Sequence, residues 1–294
     1  MKRALTIQLA AAGSYLKDLV ELTKFRLGTL VIFSSVASLY VVSRGQADML
    51  SYVLLGLGGF LITGAANALN EILERDFDAM MERTKDRPLP AGRMSSSEAV
   101  FYAGVMILVG TVFLVLLHPL TAFLAMISLV LYAFIYTPLK RVTNLSVLVG
   151  AVPGAMPLLI GGVAYHGSLQ VEALYLFAVQ FFWQFGHFWA IAWLADEDYK
   201  RAGYRLLPFD GRKTRRVGLI SVLSSVPMLF FSVALMLRQP LHLPMMLLVV
   251  GSGLYFLYRS YELYRKPSDA SARGLMYASF IYLPVVLVGF MWGV

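Results

Sequence analysis

Acidic side chains are scarce in this 294-residue chain, 17 in all, and they are unevenly spread. Six fall between Glu71 and Asp86, and three more form the run Asp196-Glu197-Asp198. In the first group Asn67, Asn70, Glu74 and Asp78 recur at helical spacing. At 100° per residue they share one stripe about 80° wide, with Asp76 on the opposite face. Like charges four apart repel along a helix, so such a line becomes sensible when a cation neutralises it. Oxygen ligands without His or Cys suit Mg²⁺, which commonly bridges one or two carboxylates to substrate phosphates. The plainer alternative is a solvated helix end whose acids pair with Arg75, Arg83 and Lys85. Asn67 and Asn70 favour the first reading, because polar groups facing a bundle interior near membrane depth are costly and usually have a role.

The second acidic group follows Trp183-Gln184-Phe185-Gly186-His187-Phe188-Trp189. Eleven residues separate His187 from Asp198, three turns plus about 20°, so one continuous helix would put both on one face. A lone His in an apolar helix is either a hydrogen-bonded structural residue or, with the acids above it, part of a site. Arg83, Lys85, Arg87, Lys140 and Arg141 bring cations to the same surface. Carboxylates able to hold Mg²⁺, ringed by Arg and Lys, are what a diphosphate leaving group requires, because its charge grows as the C–O bond breaks.

The elements that position these residues are membrane helices. Of the sequence 59% is hydrophobic and 14% charged, with mean hydropathy +0.70, whereas soluble domains carry about a quarter charged residues. Residues 27–43, 99–137, 217–237 and 274–294 contain no Asp, Glu, Lys or Arg. A hydrocarbon core needs about 20 apolar residues per helix, and no alternation of the kind membrane strands show is present. The pattern predicts an all-α polytopic membrane protein with nine spans, near 25–43, 51–70, 99–117, 119–137, 144–165, 172–195, 217–237, 243–261 and 275–293. The whole chain, 1–294, reads as one transmembrane domain, with residues 1–24 as a cytoplasmic or interfacial lead-in rather than a cleaved signal. Nine spans put every one of the 25 Lys and Arg residues except Arg44 and Arg238 on one side. The positive-inside rule makes that side cytoplasmic, with the N-terminus inside and the C-terminus outside. It also accounts for the net charge of +8 without nucleic acid. With no cysteine, no thiolate metal site arises. Both acidic groups end even-numbered spans four apart, which suggests two four-helix units plus a ninth helix around an apolar cavity suited to a long hydrocarbon.

At these residues the chain resembles the UbiA-type intramembrane prenyltransferases. Asn70, Glu74 and Asp78 match their first motif, Asn-x-x-x-Asp-x-x-x-Asp, with Glu in the middle place. Arg83-Thr84-x-x-Arg87-Pro88-Leu89-Pro90-x-Gly92-Arg93 continues the match. Within the superfamily it is most like the protoheme IX farnesyltransferases, or haem O synthases. That narrower likeness rests on Leu22-Thr23-Lys24, Tyr136-Thr137-x-Leu139-Lys140-Arg141, the Gly150–Gly161 stretch, and His187-Phe188-Trp189-Ala190 running on to Leu206-Leu207-Pro208.

The resemblance implies a nine-helix bundle with a central cavity in an inner membrane. It implies Mg²⁺-dependent transfer from farnesyl diphosphate to a vinyl group of haem b, with water supplying the hydroxyl of haem O. Haem A synthase or terminal oxidase assembly would then use the product. The implied catalytic residues are Asn70, Glu74, Asp78, His187 and Asp198, with Asn70, Glu74, Asp78 and Asp198 on the metal. Arg83, Lys85, Arg87, Lys140 and Arg141 would bind the diphosphate. Three departures stand out: Glu74 is one methylene longer than Asp, His187 stands where aromatic-acceptor members begin a second Asp-rich motif, and Phe25 and Tyr204 stand where the haem branch usually has Pro. Prenylation of an aromatic acid or quinone precursor is disfavoured by the missing second motif. A transporter would carry polar residues at mid-membrane in several helices, whereas here they crowd one end.

Overall fold

Inside a bilayer every backbone polar group must be satisfied within the protein, which long helices achieve by themselves. The computed structural model of this chain, which describes residues 13–293, is built from such helices, and no strand occurs among the described residues. Helix α1 (residues 13–22) leads into α2 (Phe25–Ser43), α3 (Met49–Asp78), α4 (Ser96–Leu117) and α5 (Pro119–Val130). A π-helical turn (Leu131–Tyr136) and the short α6 (Thr137–Leu139) prolong α5. There follow α7 (Ser146–His166), α8 (Val171–Leu194), the short α9 (Asp196–Arg201), α10 (Arg215–Arg238), α11 (Leu243–Arg265) and α12 (Asp269–Trp292). The expected lead-in over 1–24 falls partly outside the described residues.

Eight of the nine expected spans correspond to helices long and apolar enough to cross a membrane. The sixth corresponds to α8, 24 residues long, whose apolar run is interrupted by Gln180, Gln184 and His187. Caps fix several ends: Asp48 accepts from Ser51 N at 2.7 Å at the start of α3, and Ser95 and Glu98 form a capping box on α4.

Two hydrophobic cores divide the bundle. One gathers α2–α5 and the other α8–α12. Helix α7 feeds both, giving Met156, Leu159 and Ile160 to the first and Val147, Ala151 and Leu158 to the second. Helix α2 also feeds both, with Leu39 and Val42 in the first and Ala37 and Val41 in the second, so α2 and α7 form the seam. The last helix, expected to stand outside two four-helix units, packs in the second core. Helix α7 tolerates Pro153 and Pro157 within its length because neighbours take over the freed carbonyls. Pro157 cannot donate to Pro153 O, and Ser128 Oγ donates there instead at 3.3 Å. Next to it, Gln180 Nε2 donates to Gly154 O at 2.7 Å and ties α8 to α7.

At the α2–α7 crossing the two backbones nearly touch. A methyl group on Gly161 would collide with the Ser35 carbonyl, and Ser38 Oγ donates to Leu158 O at 2.6 Å beside it. Small residues permit this approach, the usual basis of helix association where no hydrophobic effect operates between helices. Because the obstacle is backbone, overpacking here has no side-chain relief. Gly161→Val is expected to destabilise the detergent-purified protein by at least about 1–3 kcal/mol, read as a lowered thermal midpoint. An unchanged midpoint would mean that the two halves are not joined at this crossing.

Candidate active site

Helix α3 has 30 residues, about 45 Å at 1.5 Å per residue, against a hydrocarbon core of about 30 Å. Its last turns therefore run past the apolar layer, yet remain enclosed by protein. Asn67, Asn70, Glu71, Glu74 and Asp78 are all buried, at 0–4% exposure, while Asp76 is exposed and pairs with Arg75. The stripe expected from the spacing is present. Glu71 joins it, lying only about 20° outside the expected edge.

Each buried acid faces a cation from another part of the chain. Lys140 Nζ lies 2.6 Å from Glu74 Oε1 and 2.7 Å from Oε2. Arg87 lies 2.7 Å from Asp78 Oδ2 and 3.6 Å from Glu71 Oε1. Lys24 Nζ donates to Asn70 Oδ1 at 2.9 Å, and Asn70 Nδ2 donates to Glu74 Oε2 at 2.8 Å and Thr137 Oγ1 at 3.0 Å. Asn67 serves the scaffold, donating to Thr23 O at 3.0 Å. That bond steadies the α1–α2 link, where Lys24 takes a left-handed φ of 51° and swings its ammonium over α3. Burial pushes the Lys24 ammonium down to about 8, with repulsion from Arg87 adding to it. Burial also lowers Lys140, against the pull of Glu74.

The wall opposite α3 depends on the π-helical turn. Pro138 has no N–H to offer the preceding turn. Thr137 N reaches back five residues to Tyr132 O, and its hydroxyl donates there too at 2.9 Å. Such turns are frequent at functional sites, and this one directs Tyr132 and Tyr136 inward. Gly150 makes room for Tyr136, since a Cβ there would meet the ring at 2.6 Å. The result is a cavity of about 420 Å³ lined by Asn70, Glu74, Asp78, Arg83, Arg87, Lys140, Lys24, both tyrosines, Gln184, Phe188 and Tyr204. A smaller apolar cavity of about 130 Å³, walled by Ile32, Ile62, Leu129 and Pro157, shares Leu27, Tyr132 and Gly154 with it.

Six of the expected site residues thus meet at one cavity: Asn70, Glu74, Asp78, Arg83, Arg87 and Lys140. Four do not. Lys85 pairs outward with Glu82 at 2.5 Å. Arg141 lies over the Phe77 ring at 3.6 Å and donates to Leu73 O at 2.7 Å, on the outer side of α3. Asp198 accepts from Glu82 N and Arg83 N at 3.3 Å each and pairs with Arg201. Burial works to raise its carboxyl, yet these bonds hold it below the usual carboxylate range, Arg201 contributing most among them. It anchors the loop after α3 instead of joining the three α3 oxygens. The expected shared face of His187 and Asp198 is lost, because α8 ends at Leu194 and the chain turns at Ala195. His187 packs against α12: Nδ1 lies 2.7 Å from Ser279 Oγ, with its ring stacked on Trp183 at 4.5 Å. Ser279 Oγ itself donates to Met276 O, so the imidazole N–H is the donor to it.

Among the described residues no three His, Cys, Asp or Glu side chains converge into a metal cage. Mg²⁺ bound through substrate phosphates requires only one or two carboxylates, the rest being phosphate and water. The donor set fits that mode: hard oxygens of Asn70, Glu74 and Asp78 share one cavity, and buried Glu71 keeps both oxygens without a hydrogen bond beside them. Lys24, Tyr132 and Tyr136 line the cavity, with Glu71 buried beside it, although neither charge clustering nor spacing singles them out; Tyr204, noted above as a departure, lines it too. Lys24 and Tyr136 did stand inside the stretches that carried the resemblance.

The UbiA prenyltransferase family profile matches residues 30–284. A protoheme IX farnesyltransferase of Christiangramia forsetii is 42% identical, the alignment covering 94% of this chain and 93% of that one. One of Cytophaga hutchinsonii is 41% identical over 92% and 95%. Among solved structures, a digeranylgeranylglyceryl phosphate synthase superposes with TM-score 0.80 at 18% identity, covering 95% of this chain and 98% of that one. A UbiA homologue from Archaeoglobus fulgidus bound to GPP and Mg²⁺ gives 0.66 at 13% identity over 93% and 99%. The profile, the full-length relatives and the shared fold together establish that this chain is a member of the UbiA prenyltransferase family.

Proposed function

We propose that this protein transfers the farnesyl group of farnesyl diphosphate to a vinyl group of haem b, giving haem O and diphosphate. The observation that carries the reading is the near-full-length likeness, at 36–42% identity, to proteins named protoheme IX farnesyltransferase from several bacterial lineages. The cavity supports it chemically, because cations and acid oxygens stand at its polar end and an apolar chamber continues from it.

In this reading Asn70, Glu74 and Asp78 would hold Mg²⁺ and, through it, the substrate diphosphate. When bound, the metal ion neutralises phosphate charge as the leaving group departs. Arg87, Lys140, Arg83 and Lys24 bind the diphosphate oxygens, whose charge increases as the C1–O bond breaks and its electron pair leaves with the diphosphate. The vinyl carbon of haem b forms the new bond to C1. Water adds to the resulting cation and releases one proton, so the product carries a hydroxyl. Tyr132 and Tyr136 flank the path between the two cavities and exclude bulk water from the allylic carbon. Asp198 positions Arg83 through its backbone N–H, and Lys85 and Arg141 tune the charge of the entrance from outside. His187 orients the acceptor side indirectly, through the α8–α12 contact. The cation-rich ends of the helices lie in the cytoplasm in this reading, and haem A synthase or oxidase assembly receives the product.

Asp78→Ala is expected to lower haem O formation per unit of expressed protein by about 10²–10³-fold, with a lowered thermal midpoint because Arg87 loses its buried partner. Wild-type haem O from a well-expressed variant would sink the site assignment, and membranes that accumulate a prenylated aromatic acid instead of haem O would sink the acceptor. His187→Ala should shift farnesyl diphosphate affinity by less than about tenfold, or roughly 1.4 kcal/mol, in a direct binding assay. A complete loss would move His187 into the diphosphate site. For orientation, a reporter fused after Val294 should be active only in its extracytoplasmic form, and cytoplasmic activity would reverse the assigned topology.

A further inference from the structure

Glu74 takes one of its donors from far along the chain: the Tyr204 hydroxyl donates to Glu74 Oε1 at 2.9 Å. Both residues are buried, at 4% and 2% exposure. The contact is built from several sides. Gly203, with φ of 75°, turns the chain so that residue 204 points inward. Tyr204 N donates to Tyr199 O at 2.8 Å, a bond that proline could not make. Phe77 and Tyr199 flank the ring at 6.0 and 6.3 Å.

Glu74 has three donors of two kinds. Lys140 is a mobile cation that an incoming diphosphate attracts to itself. Asn70 and Tyr204 are neutral, so they have no such incentive to leave. A glutamate has one more rotatable bond than an aspartate, and Mg²⁺ demands near-ideal ligand placement. We propose that Tyr204 is a positioning residue for the Glu74 carboxylate, its hydroxyl fixing the longer side chain in one orientation towards the metal–diphosphate. The inference rests on Glu74 acting as a ligand there. It adds that residues 74 and 204 work as a matched pair.

The test uses the full-length protein in detergent, with Mn²⁺ as the spectroscopic metal and farnesyl thiodiphosphate as an unreactive substrate. Mn²⁺ affinity is read by electron paramagnetic resonance. Tyr204→Phe removes only the hydroxyl and should weaken Mn²⁺ binding about tenfold, the usual worth of a hydrogen bond to a charged group, while the ligand-free protein stays folded at the assay temperature. Glu74→Asp withdraws the carboxylate from an intact tyrosine and should also weaken binding. Adding Tyr204→Phe to Glu74→Asp should then change affinity by less than about twofold, because the bond is already gone. Equal losses from Tyr204→Phe in the wild-type and Glu74→Asp backgrounds would overturn the pairing, as would no loss in either. Glu74→Ala separates the two levels. If it abolishes Mn²⁺ binding while Tyr204→Phe does nothing, only the positioning role fails. If it too leaves binding intact, the ligand role of Glu74 fails with it.

Discussion

Three carboxylates, Glu71, Glu74 and Asp78, are buried at the end of one helix, and a buried carboxylate without a partner costs several kcal/mol. The rest of the bundle is arranged around meeting that cost. Lys24 comes from the link before α2, Arg87 from the loop after α3, and Lys140 from the end of the fourth span. No two of these cations are close in sequence, so the acids on α3 act as the point to which three separate segments are fitted. Removing one partner from such a cluster is costlier than replacing the pair, which ties the precision of the site to the integrity of the fold.

The same arrangement explains how the site could accept a highly charged substrate. Before binding, Glu74 and Asp78 are paired with Lys140 and Arg87, and Glu71 faces Arg87 at 3.6 Å without a hydrogen bond. When a metal–diphosphate enters, each ion has a new partner of opposite sign, oxygens turning to the metal and ammonium or guanidinium groups to phosphate. Binding is then an exchange of partners within a nearly neutral cluster, so little naked charge has to be stripped of water. The depressed Lys24 and Lys140 report how thoroughly this end is enclosed.

Much of this was legible in the sequence because it depends on periodicity. The spans follow from charge-free runs, and the α3 stripe from a 100° step. Arg83, Arg87 and Lys140 follow from charge placed beside that stripe. What was not legible depends on breaks in periodicity or on distance. The His187–Asp198 alignment assumed one continuous helix, and the turn at Ala195 removes it. Arg141 neighbours Lys140 in sequence but packs on Phe77 and bonds Leu73 O, because both cations lie in the turn after α6, where no helical period sets their directions. Tyr204 lies 130 residues from its partner, beyond the reach of any local pattern. Gln184 and His187, polar residues within the apolar run of α8, tie it to α7 and α12.

The π-helical turn before Thr137 sets a limit on insertion and deletion. It holds one residue more than an α-helical turn would, and Thr137 closes it by reaching back to Tyr132. Delete a single residue between 131 and 136 and the segment could become ordinary helix, with composition and hydropathy almost unaltered. Everything after it would be rotated by about 100° and shifted by about 1.5 Å against α5. Lys140 would then leave Glu74, and the ring of Tyr136 would no longer face the space that Gly150 leaves for it. The length of this stretch in residues, more than its chemistry, is fixed by the site.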